Sequence, residues 1–238
     1  MKNIVVITAR GGEQSYPNKN LVPVLGKPVV AWPIESALDS HLTNGVFIST
    51  NCPKIREVSE RYGATYLDRP QEISTKDSPH KDVIKYSAEK IKETYPQTKN
   101  LIILLGNSVH VTPALIDKTF EMLDSGECDS VMTAYRAGDS HPYRAMALDK
   151  AGYVTSFLGI NAGSNRQGYP PVYYYDNGIW GMKIDCAIRQ HGPTPWVWLG
   201  KDCKLIERHW PDGRDIHGPH DIELAAHYLI HRQHEDHS

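Results

Sequence analysis

The chain has 238 residues, 40% hydrophobic and 23% charged, with a formal net charge of -2, a size and composition that suit a single domain spanning residues 1–238. The near-neutral charge provides no basic field for nucleic acid, and no apolar run approaches the roughly 20 residues that span a bilayer, so neither a nucleic-acid nor a membrane partner is expected. Met1 leads straight into an apolar stretch without a leader pattern, and the four cysteines, Cys52, Cys128, Cys186 and Cys203, form no Cys-x-x-Cys pair, so a reducing cytoplasm is the expected setting.

Strand and helix patterns alternate through the first half. Residues 3–8 form a short apolar run that reads as a buried strand, and 30–39 as a helix. Residues 45–49 predict a strand, 53–62 an amphipathic helix stopped by Gly63, and 64–67 a short strand. Residues 81–95 then predict a helix, 100–105 a strongly apolar strand, 113–125 a helix and 129–135 a further strand. Repeated βα units imply an α/β fold with a doubly wound, mostly parallel sheet and ligands at the carboxyl ends of its strands. From about 138 to 171 the chain becomes rich in Gly, Asn, Ser, Arg and Pro, with strand-like pieces at 145–148 and 153–157. Loops of that length are uncommon unless functional. Strand-like sequence returns at 173–182, a helix is expected at 219–232, and a polar, histidine-rich tail follows.

The first strand runs into Ala9-Arg10-Gly11-Gly12-Glu13-Gln14-Ser15-Tyr16-Pro17-Asn18-Lys19-Asn20. Glycines let backbone N–H groups approach an anion, and Arg10 and Lys19 add charge, so the loop reads either as a phosphate cradle or as an ordinary βα turn. Its spacing is neither that of a Walker loop nor that of the dinucleotide fingerprint.

The loop resembles the signature of the acylneuraminate cytidylyltransferases, Ala-Arg-Gly-Gly-Ser-Lys-x-x-Pro-x-Lys-Asn. Ala9, Arg10, Gly11, Gly12, Pro17, Lys19 and Asn20 stand in register, while Glu13 and Gln14 replace the Ser-Lys pair. Residues 21–32 and Phe47-Ile48-Ser49-Thr50-Asn51 continue the likeness. The resemblance implies a nucleotidyltransferase-like fold and transfer of CMP from CTP to an acidic acceptor, a nonulosonic sugar acid by default, with release of pyrophosphate. Arg10, Gly11, Gly12, Lys19 and Asn20 would then bind the nucleotide, although turn capping is an alternative for Asn20.

Asp215-Ile216-His217 resembles the family's metal-binding Asp-Ile-Asp, with His217 in place of the second carboxylate. By resemblance Asp215 and His217 hold Mg²⁺, with Mn²⁺ an option because imidazole is a poor magnesium ligand. Arg10, Lys19 and Asp215 are the expected catalytic residues. Asn107 follows the 100–105 strand, where the family places its acceptor site with Gln-Pro-Thr-Ser-Pro. The sequence here, Gly106-Asn107-Ser108-Val109-His110, differs, while Arg144, Arg166 and Gln167 lie in segments that resemble the family's, and all four are the expected acceptor-binding residues. In that family the 138–171 region reaches a partner subunit, so a homodimer is implied. Two other readings stay open: a cytidylyltransferase for a phosphonate or phosphorylated metabolite, and a non-catalytic nucleotide-binding paralogue.

Overall fold

The computed structural model describes residues 1–12, 16–160, 163, 165–209 and 215–235, with side chains up to 231. In chain order the elements are β1 (Asn3–Thr8), a hairpin of β2 (Pro23–Val24) and β3 (Lys27–Pro28), α1 (Ala31–Leu38), β4 (Gly45–Thr50), α2 (Pro53–Arg61), β5 (Thr65–Asp68), α3 (His80–Thr94), β6 (Asn100–Leu105), α4 (Pro113–Asp124), β7 (Ser130–Arg136), a hairpin of β8 (Met146–Leu148) and β9 (Val154–Ser156), β10 (Tyr173–Lys183), α5 (Ile184–Arg189), β11 (Cys203–Arg208) and α6 (Pro219–Glu235). Seven strands form one sheet in the order β11-β7-β10-β6-β1-β4-β5. All neighbours are parallel except β10, which runs against both β6 and β7.

Ile4, Val5, Val6 and Ile7 are all fully buried. β-Branched residues suit a pleated strand, and a run without polar alternation must be covered on both faces. Successive side chains of β1 and β6 therefore feed two cores. Val5, Ile7, Ile102 and Leu104 join Ile34 of α1 and Ile116 and Phe120 of α4. Ile4, Val6, Leu101 and Ile103 join Ile84 and Ile91 of α3 and the rings of Trp180 and Trp198. Burying a side chain of this size contributes roughly 1.5–3 kcal/mol.

β1 lies between β4 and β6, so the chain builds outward through β4 and β5 and then returns across β1 to β6. That reversal opens a crevice at the carboxyl ends of β1 and β6. The two ends come close, because a Cβ on Gly106 would lie 2.6 Å from the Ala9 Cβ. A third, smaller core of Val24, Val29, Val109, Ile216, Ala225 and Leu229 clamps α6 and the segment before it onto the β2–β3 hairpin and the loop after β6. It brings residues 215–217 back to the crevice.

The hydrophobic pattern does not predict β2, β3, α5 or β11. The hairpin strands have two residues each, α5 is six residues long, and β11 is a largely exposed edge strand. None carries enough periodic apolar sequence to register. The final helix continues to Glu235, past the expected end at 232.

Between Arg136 of β7 and its register partner Tyr173 of β10, residues 137–172 leave the sheet as an arm. His141 braces its base: Nδ1 accepts from the Tyr143 amide, which leaves Nε2–H to donate to the Pro170 carbonyl at 3.0 Å. Its outer part exposes Met146, Leu148, Tyr153, Val154, Phe157, Leu158 and Ile160 by 43% to 72%. Among the described residues no helix is long and apolar enough to cross a membrane.

The contact of α4 with the sheet leaves no room at Gly181, where a Cβ would lie 2.3 Å from the Thr119 Cγ2. Gly181→Ala should therefore destabilise the fold by about 1–3 kcal/mol in urea unfolding, through overpacking. Gly168→Ala, which meets nothing within 4 Å, should change stability by less than about 0.5 kcal/mol.

Candidate functional site

A cleft of about 380 Å³ opens at the carboxyl ends of β1 and β6, between the loops after β1, β5 and β6 and the segment before α6. Its described lining carries four cationic side chains, Arg10, Lys19, Arg69 and Lys76, and one carboxylate, Asp215.

The β1 loop is held from below. The Gly11 N–H donates to the Asn51 Oδ1 at 3.0 Å, and a Cβ on Gly11 would fall 2.5 Å from that of Cys52. Only glycine permits that approach. Asn20 is buried and its Nδ2 donates to the Arg10 carbonyl at 3.2 Å. Asn20 thus fixes the path of the loop while also lining the cleft. Gly12 has φ +98° and is exposed. Glu13 and Gln14 lie outside the described residues.

Arg10 donates to the Thr75 carbonyl, which ties the β1 loop to the connection between β5 and α3. Arg69, in that same connection, is gripped through the Ile73 carbonyl, at 2.9 Å from Nη2. Burial, with the nearby charge of Arg10, pulls Arg69 down to about 10. Burial likewise holds Lys19 below the usual lysine range, opposed by the attraction of Asp215. These cations are clustered and partly desolvated before any ligand arrives, an arrangement suited to a polyanion.

Asp215 is buried and takes hydrogen bonds from two distant asparagines and from its near neighbour His217. Its Oδ2 accepts from the Asn107 Nδ2 at 2.8 Å. Its Oδ1 faces the Asn177 Nδ2 at 3.0 Å and the His217 Nε2 at 2.9 Å. Asn107 also donates to the Ile216 carbonyl at 2.9 Å. Both of its amide hydrogens therefore hold the 215–216 segment. Asp221 caps the start of α6, accepting from the His217 and Gly218 amides at 2.9 Å. Asp212 lies outside the described residues. One carboxylate completed by phosphate oxygens and water is a donor set that Mg²⁺ accepts, and the adjacent imidazole better suits Mn²⁺.

The structure thus gathers Arg10, Lys19, Asn20, Asn107, Asp215 and His217 around one cleft. Arg144, Arg166 and Gln167 stand elsewhere, on the arm. Arg144 and Arg166 both pair with Asp139. Arg166 and Gln167 line a second cavity of about 280 Å³ with Arg136 and His141. Sequence reasoning missed Arg69, Lys76, Ser78 and His80, all lining the cleft. The signal was available: a polar connection with Arg69 and Lys76 at the carboxyl end of β5, where α/β sheets place ligands. Asn177 stands in register with the family's Asn-Gly but has no role assigned from sequence; it reaches Asp215 from an irregularity in β10.

A family model described as cytidylyltransferase matches residues 4–152. The N-acylneuraminate cytidylyltransferase of Escherichia coli O18:K1:H7 is 29% identical over 230 residues, covering 94% of this chain and 51% of that protein. The N-acylneuraminate cytidylyltransferase of Streptococcus agalactiae is 27% identical over 192 residues, 80% of this chain and 45% of that protein. The chain therefore spans about half the length of these curated relatives. A solved structure of CMP:2-keto-3-deoxy-manno-octonic acid synthetase complexed with CTP superposes with a TM-score of 0.72 at 16% identity, covering 98% of this chain and all of that one. The fold is shared with it.

His80 lines the cleft beside Trp180 and Trp198, with its Nε2 3.0 Å from the Thr8 Oγ1. Burial, then the charge of Arg69, pushes it down to about 4 from 6.5. The unfolded chain takes up this proton near pH 6.5 and the folded one only near 4, so folding stability should be full above the first value and decline toward the second. The loss approaches ~3 kcal/mol. In urea titrations, His80→Gln should flatten the fall in stability between about pH 6.5 and 4 relative to wild type.

Proposed function

This chain belongs to the cytidylyltransferase family, and on that premise we propose that it transfers CMP from CTP to an acidic acceptor, a nonulosonic sugar acid, and releases pyrophosphate. The observation that carries the reading is the convergence of four cations on a cleft with a single described carboxylate at its floor. An acceptor oxygen attacks the α-phosphorus, the bond to the bridging oxygen of the β-phosphate breaks, and pyrophosphate leaves with that electron pair. The hydroxyl proton passes to water. Charge builds on the phosphoryl oxygens and the leaving group, so fixed positive charge and positioning supply most of the catalysis. Arg10 forks two phosphate oxygens and Lys19 acts as a compact charge, with the Gly11–Gly12 backbone shaping the loop around them. Asn20 holds that loop beside the nucleotide. Mg²⁺, when bound, supplies further positive charge against the phosphates. Asp215 would hold it, and His217 would join if the ion is Mn²⁺.

The acceptor's acidic group is assigned to the arm, through Arg166, Gln167 and Arg144. The altered segment 106–110, whose Asn107 is committed to Asp215, and His217 support a second reading in which the acceptor is a phosphonate or phosphorylated metabolite. The cationic arm cavity suits either. The exposed apolar side chains of the arm support a two-fold homodimer, since such a patch is rarely left in water. The cytoplasm is the proposed compartment.

Pyrophosphate release from CTP, followed across sugar acids, phosphonates and phosphorylated metabolites, tests the activity. Turnover with a sugar acid supports the main reading, turnover with phosphorus-bearing acids alone supports the second, and none with any acceptor makes the chain a nucleotide binder. Arg10→Ala and Lys19→Ala should each lower kcat/KM by about 30- to 1000-fold, or about 2–4 kcal/mol. Asp215→Asn should remove most metal-dependent turnover. In sedimentation, wild type should run as a dimer, and Leu148→Asp with Phe157→Asp should shift it to monomer. A fully active wild-type monomer at micromolar concentration would refute the assembly.

A further inference from the structure

Arg208 and Asp176 form an ion pair at 2.6 Å with side chains only 7% and 1% exposed. Neither is among the described lining residues of the cleft. Taking both charges out of water costs several kcal/mol, and an apolar pair of similar volume would often be as stable. Stability alone is therefore a poor reason for this pair.

Its surroundings supply another. Asp176 directly precedes Asn177 in the irregular part of β10, where the register shifts between Tyr175 and Trp180. Asn177 has φ +58°, in the left-handed region that asparagine enters more readily than other non-glycine residues. The Asp176 Oδ1 accepts from the Thr133 Oγ1 at 2.6 Å and from the Gly178 amide at 2.9 Å. The Ile179 amide donates in turn to the Thr133 Oγ1 at 2.8 Å. A Cβ on Gly178 would lie 2.2 Å from the Arg208 Nη2, so the bulge is moulded against the guanidinium. The other arm of the guanidinium, Nη1, donates to the His110 carbonyl at 3.1 Å, in the loop that follows Asn107. One side chain thus grips both backbone segments whose asparagines hold Asp215.

We infer that Arg208 and Asp176 are positioning residues: the pair fixes Asn177 and, through the His110 loop, Asn107, so that both amides point at Asp215. The inference rests on the cytidylyl-transfer reading for its effect on turnover, but not for its effect on the two asparagines.

The test uses Arg208→Lys, which keeps the charge but cannot fork between Asp176 and His110, and the neutral double variant Asp176→Asn with Arg208→Gln. In Arg208→Lys, kcat should fall about 10- to 100-fold while the KM for CTP stays within about twofold, because Arg10 and Lys19 stand on a different loop. The side-chain amide NMR signals of Asn107 and Asn177, displaced from free amide positions in wild type, should move toward them. The double variant, which restores a neutral hydrogen-bonded pair, should recover part of both. A folded Arg208→Lys with wild-type kcat and unmoved amide signals overturns the inference, as does a lower Tm with unchanged kcat. If Arg208→Lys does not fold, a folded double variant with wild-type kcat and amide signals at their wild-type positions overturns it instead. If wild type turns over no acceptor, the function reading fails and the amide signals alone decide the positioning.

Discussion

Asn107 and the 215–216 segment hold each other at three points. The Ile216 amide donates to the Asn107 carbonyl at 3.1 Å, and the two Asn107 side-chain hydrogens go to the Ile216 carbonyl and the Asp215 carboxylate. Residues more than a hundred positions apart are thereby locked at the carboxyl end of β6. The apolar cluster of Val109, Ile216 and Ala225 shields the clamp from behind. A buried carboxylate is tolerable only with such partners, and the clamp adds directional hydrogen bonds to the apolar cluster that seats α6 beside the crevice.

Across from this carboxylate the cleft stores positive charge. The loops after β1 and β5 bring Arg10, Lys19, Arg69 and Lys76 together, and backbone carbonyls of Ile73 and Thr75 steer the two arginines. Burying these cations is unfavourable in the free protein: burial first, and then the neighbouring charge of Arg10, lowers the titration of Lys19 and Arg69. On the proposed function a polyanion would relieve that cost, which then falls on the free state.

The irregular strand β10 joins the cleft to the arm. Its first residues pair with the end of β7 where the arm departs, its bulge offers Asn177 to Asp215, and its last residues lie against β6. An antiparallel strand in an otherwise parallel sheet makes this possible, because it enters from the carboxyl edge where the site lies. Seating the arm and shaping the cleft are tasks of one strand.

What the sequence determined by itself is local. The apolar runs at 3–8 and 100–105 became β1 and β6 with unchanged bounds, and the amphipathic stretches became α1 to α4 within a residue or so, because burial imposes a period on neighbouring residues. The loop with Arg10 and Lys19 was legible for the same reason: its chemistry is contiguous and follows a strand. Tertiary structure decided the rest. Asp215 was recognisable from its segment, but its partners come from separate parts of the sheet, Asn107 from the loop after β6 and Asn177 from the irregular part of β10, and no spacing encodes their meeting. Arg69 and His80 carry no motif in the sequence, and only the sheet order turns them into the crevice. Arg144 and Arg166 are strongly charged in either view, yet only the path of the arm carries them to Asp139 and away from the cleft. Periodicity reports which face of an element is buried; which distant face it is buried against is set by topology.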